Sequence, residues 1–149
     1  MRSSLLAASV AVALALCGCS AASGPGTNVC STPPIPIVQL ASPPGGSTGV
    51  SPSIGELVLA ESSPTVGNVT VTVSSPAGTI VSGATPTSAP SPLPSPLASP
   101  LPGTIVYFSI GVPVLSANTS YTVRATYSVG GSGACPTSFP MTAGSFTTG

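Results

Sequence analysis

Residues 121–129 alternate without a break: Tyr121, Val123, Ala125, Tyr127 and Val129 are apolar or aromatic, and Thr122, Arg124, Thr126 and Ser128 lie between them. Successive side chains of an extended chain point to opposite faces, so this pattern predicts a strand with one buried and one wet face. Val69, Val71 and Val73 repeat it with Thr70 and Thr72. Further strands are predicted at 35–40, with Pro36 confining it to an edge, and at 55–60, with Leu57 and Leu59 on one face. Another is expected at 79–82, paired with 69–73 across the turn from Ser75 to Gly78. The run Ile105-Val-Tyr-Phe108 places one at 104–110, and a last one closes the chain at 145–148. Residues 41–53 and 130–136 read as turn-rich loops. No window beyond residue 20 holds a helical period. Six or seven short strands between Gly and Pro turns predict an all-β sandwich.

The chain is 149 residues long, enough for one ordinary domain. Its side-chain charge rests on Arg2, Arg124, Glu56 and Glu61, and it has no histidine. Nucleic-acid binding needs several Lys or Arg on one face to neutralise phosphate, so no nucleic-acid partner is expected. No basic cluster offers itself to anionic lipid either. The nineteen prolines suggest disorder. Disorder, however, goes with low hydrophobicity and high net charge, and this chain has neither.

The N-terminus begins Met1-Arg2, continues through an apolar run from Leu5 to Leu16, and reaches Cys17-Gly18-Cys19-Ser20. A positive start, about a dozen apolar residues and small residues after them are the marks of a secretory signal. The run is shorter than the roughly 20 residues a membrane-crossing helix needs. A buried N-terminal helix is the structural alternative. Ala15-Leu-Cys-Gly-Cys19 resembles the lipobox of bacterial lipoproteins, with Leu16 three residues before Cys19 and Gly18 directly before it. Cys17 fits less well, because bulky Leu16 precedes it. The resemblance implies that Cys19 receives a diacylglycerol and a palmitate-type acyl chain and becomes the first mature residue. It also implies a place in the cell envelope. Ser20 resembles the outer-membrane sorting signal more than the aspartate that retains lipoproteins at the inner membrane. Two alternatives stay open: cleavage after Ala22, which would release a soluble secreted protein, and a Cys17/Cys19 metal pair, for which no further ligand cluster exists.

Cys30 and Cys135 remain in the processed chain. An even pair in an oxidising compartment predicts a disulfide, whose loop closure contributes up to roughly 4.7 kcal/mol in the chain-entropy picture. A redox-active pair is the alternative, and it usually wants close spacing and an electropositive setting.

Leu115-Ser-Ala-Asn-Thr-Ser-Tyr121-Thr-Val123, followed by Gly144-Ser-Phe146-Thr-Thr148, resembles the C-terminal half of bacterial Ig-like, fibronectin-III-like domains. Ser42 to Pro52 echoes their opening turn. The segment from Leu57 to Pro64 departs from the family's second strand, and so does a Pro-rich insertion. The resemblance implies a single Ig-like sandwich, in which the start of the first strand and the last loop share a pole, as a Cys30–Cys135 bond requires. The Leu115–Tyr121 stretch also suits a tyrosine corner, with the hydroxyl bonded to backbone just upstream. The organisation expected is therefore a signal peptide over 1–18, a flexible tether over 19–34 and an Ig-like domain over 35–149, with 82–103 as a Pro/Ser-rich loop.

Within that loop a four-residue repeat runs Ser91-Pro-Leu-Pro, Ser95-Pro-Leu-Ala, Ser99-Pro-Leu-Pro. Polyproline II turns every three residues, so a period of four winds the leucines around the axis. The expectation is an expanded surface loop. A proline-recognition ligand or an O-glycosylated spacer is the functional alternative.

Catalysis is not expected. Proton transfer at neutral pH most often uses histidine or a carboxylate of raised pKa, and a serine nucleophile needs a base beside it. Glu56 and Glu61 are five residues apart and leave an extended strand on opposite faces. No metal ligand set, cofactor site or small-molecule substrate is evident. The function expected is a lipid-anchored structural or interaction module with an unidentified envelope protein partner. The alternative is an accessory carrier of sugar or peptide, with Phe139 as its exposed aromatic.

Overall fold

The computed structural model describes residues 34–62, 68–130 and 137–149. Eight strands form: β1 (Val38–Ser42), β2 (Glu56–Ser62), β3 (Asn68–Ser75), β4 (Gly78–Ala84), β5 (Thr87–Ser88), β6 (Ile105–Gly111), β7 (Ser120–Ser128) and β8 (Ser138–Thr147). They build two four-stranded antiparallel sheets, ordered β1-β2-β6-β5 and β4-β3-β7-β8. The all-β sandwich is therefore observed. Its order is that of a constant-type immunoglobulin sandwich with β4 added beside β3.

The core lies where the alternation put it. Tyr121, Val123, Ala125 and Tyr127 of β7 are buried, and Thr122 and Arg124 between them are exposed. Val71 and Val73 of β3 meet them, facing Leu40, Leu57, Leu59, Phe108 and Ile110 of the other sheet. Tyr121 stacks on its β8 partner Phe146 at 5.4 Å. Its hydroxyl accepts the Ser116 N–H at 2.8 Å, which is the tyrosine corner expected of it. Beside it the Thr148 hydroxyl donates to the Ser116 carbonyl at 2.6 Å and accepts the Thr119 N–H at 3.0 Å. These bonds tie the β6–β7 loop to the residue that follows β8.

Two strand boundaries differ from expectation. The first strand starts at Val38 rather than Ile35, because Pro36 has no N–H to give a ladder. Ile37 opens the pairing instead, with its N–H on Ser62 Oγ and its carbonyl accepting the Ser62 N–H. The last strand starts at Ser138 rather than 145, so Phe139 is not in an irregular region. A register shift between Val123 and Arg124 had split its pattern in two. At the shift Gly144 packs so close to β1 that a Cβ there would lie 2.9 Å from Leu40 Cβ.

The Pro-rich segment is the largest departure. The short strand β5 opens it, and the rest is not an expanded loop. It crosses the outer face of the β1-β2-β6-β5 sheet, where Leu93, Leu97 and Leu101 pack on Ala41, Val58 and Ala60. Ala98 N–H donates to the Ala41 carbonyl at 2.8 Å. The chain bends at Ser91-Pro92 and Ser95-Pro96, so it never completes the three-residue screw that would scatter the leucines. β2 is consequently apolar on both faces.

Two outcomes test this packing. Leu97→Ser is expected to lower stability by about 1 kcal/mol, from the apolar surface it returns to water. Its urea midpoint should fall at unchanged m, and an unmoved midpoint would mean the segment lies free. Gly144→Val should cost about 1–3 kcal/mol by overpacking against Leu40, and a denaturation curve matching wild type would contradict the close approach.

Candidate functional site

β1 begins, β2 ends, β6 begins and β8 begins at one end of the sandwich. Within one sheet Val38 pairs with Glu61 and Glu61 with Val106; within the other Asn68 and Ser138 both pair with Ser128, and residues 35–38 and 138–142 line one cleft between them. The chain joins the fold at this near pole through Pro34. The start of β1 and the two flanks of the β7–β8 loop therefore share a pole, as expected of an Ig-like sandwich. Cys19, Cys30 and Cys135 themselves lie outside the described residues.

Two clefts of unlike chemistry open at this pole. The first, about 490 Å³, runs between residues 35–38 and residues 138–142 of β8, within the roughly 300–1,000 Å³ of small-molecule sites. Ile35 and Ile37 on its rim are 45% and 53% exposed. Phe139, half-buried, packs its ring 6.3 Å from that of Tyr127. The lining contains no ionisable side chain and, apart from the Ser138 and Thr142 hydroxyls, offers a ligand apolar surface.

The second, about 330 Å³, lies between the two sheets and is lined by Glu61, Asn68, Thr87, Ser88 and Tyr107 among others. Here the Glu61 carboxylate, the Asn68 amide and the Ser88 hydroxyl offer acceptors and donors to a polyhydroxylated ligand, while the Thr87 hydroxyl is bonded to Ser109 and the Tyr107 ring packs on the outer face of its sheet. No short motif marks this group in the sequence, because its members come from β2, β3, β5 and β6. Phe139, the aromatic expected for a carrier, sits in the apolar cleft instead.

A third groove of about 370 Å³ separates the Pro-rich segment from residues 42–54. Glu56 and Glu61 belong to an uninterrupted stretch of β2 and so leave on opposite faces. Arg124 is exposed on the far side of β7, between Thr72 and Thr142. Among the described residues no group of three His, Cys, Asp or Glu could hold a metal ion. No described helix is long and apolar enough to cross a membrane.

Comparison with family models, with curated proteins and with solved structures finds no match to this chain.

Proposed function

We propose that this chain is a lipid-anchored module of the cell envelope, held at the outer membrane through Cys19, whose sandwich has a structural or protein-interaction role. The observation that carries the reading is the junction of two parts. A leader resembling that of bacterial lipoproteins ends at Cys19, and the tether after it meets an Ig-type sandwich at one pole. Cys30 and Cys135 would clamp that pole. The described residues nearest them, Pro34 and Thr137, adjoin the two walls of one cleft. The role is non-catalytic, in keeping with a chain that lacks histidine and whose two glutamates diverge.

Metabolic labelling with a clickable fatty acid tests the anchor. Wild type should take up label and Cys19→Ser should not, whereas equal labelling of the two would remove Cys19 as the site. Thiol alkylation of the unreduced processed chain checks the clamp in the same preparation, since both cysteines should stay unmodified until a reductant is added.

The second cleft favours one other reading, an accessory protein that carries a sugar. Asn68 lies exposed at its margin, so Asn68→Ala should abolish glycan-array binding without unfolding the domain. An array on which wild type binds nothing would dispose of the carrier.

A further inference from the structure

We propose that the apolar cleft between residues 35–38 and 138–142 is a bilayer-docking site, so that the domain rests cleft-down on the membrane that holds it. The proposal deepens the anchor reading and rests on it.

The first argument is where the chain outside the fold ends. Residues 20–34 separate Cys19 from Ile35, and Ile35 is itself on the rim of the cleft. A coil of fifteen residues, the number from 20 to 34, has a typical end-to-end distance of roughly 20 Å. The lipid therefore holds this pole, rather than the opposite one, close to the surface.

The second argument is chemistry. Two isoleucines about half exposed stand on one wall, with Phe139 and Met141 on the other. Nothing in the lining would carry charge into a medium of low dielectric. An unpaired backbone N–H is costly there too, and each wall lacks one at a proline. Pro36 and Pro140 have no N–H, and the Ile37 N–H is already given to Ser62.

The same prolines exclude the usual occupant of a sandwich edge. An added peptide strand needs a row of donors and acceptors, and proline on an edge interrupts it. From Ser145 onward β8 already bonds residues 46–50. The half left facing the cleft is the half that holds Pro140. An acyl surface asks for no such row.

Two exposed isoleucines are too little to hold a protein on a bilayer from solution. The tether supplies the missing term, because it makes the second contact intramolecular at high effective concentration. With no Lys or Arg in the lining, docking is indifferent to anionic lipid and to salt.

The chain has no tryptophan, so one can be introduced as a unique reporter. Ile37→Trp places it on the cleft rim, with Ile35→Trp as a second rim variant. Val114→Trp, at a position 80% exposed at the opposite pole, is the reference. Each natively processed chain is reconstituted in phosphatidylcholine vesicles whose acyl chains are brominated. The expected result is blue-shifted emission from both rim variants and quenching severalfold stronger than at Val114→Trp, unchanged when salt is raised. Rim quenching no stronger than the reference overturns the proposal. Blue-shifted emission without lipid quenching also overturns it, since a second copy or another protein segment would then cover the cleft.

The measurement is repeated with an oligohistidine tag replacing residues 1–19, on nickel-chelating vesicles. Rim quenching there in a chain that takes no fatty-acid label in cells supports docking and removes the natural anchor. Label without rim quenching removes docking and leaves the anchor.

Discussion

The fold turns on a single strand with no wet face. β2 sends Leu57 and Leu59 into the sandwich and Val58 and Ala60 outward, so one sheet has to be covered twice. Its inner cover is the second sheet. Its outer cover is the Pro-rich segment, whose three leucines lie on the surface that Val58 and Ala60 present. Without that cover the sheet would expose a contiguous apolar patch of the kind soluble domains avoid. A segment that looks dispensable by composition is thereby part of the packing, and the molecule has three layers over much of its width.

Proline does two kinds of work in this arrangement. In the outer cover it bends the chain, so that leucines four apart reach one surface. Along the sheet margins it removes donors: Pro36 delays β1 by the residues that precede Ile37, and Pro140 interrupts the open half of β8. At the far pole hydrogen bonds among Tyr121, Thr148, Ser116 and Thr119 tie the end of β8 to the β6–β7 loop, beside the groove under the Pro-rich segment. The near pole opens into one apolar and one polar cleft.

Much of the fold was legible because alternation is a local signal. β7 and β3 could be read residue by residue, since each has one buried face and the pattern needs no partner to be seen. β2 was found as a strand, yet only its Leu57/Leu59 face was recognised, because a strand buried on both sides shows no alternation. β8 was recognised only at its end, because the register shift beside Gly144 breaks its period in two. A regular screw would scatter the leucines of the repeat, and the bends at Ser91-Pro92 and Ser95-Pro96 remove that screw. Nothing in the linear order hinted that Glu61, Asn68, Thr87 and Tyr107 would line one cleft.

The sequence by itself determined the all-β class, the face that β3 and β7 bury and the near-absence of charge. These follow from the spacing and chemistry of neighbouring residues. Tertiary structure decided which strands are neighbours, what covers the second face of β2 and which side chains share a cleft. Those depend on contacts between residues far apart in the chain, where side-chain shape, register shifts and missing proline donors choose among pairings that the local pattern leaves equal.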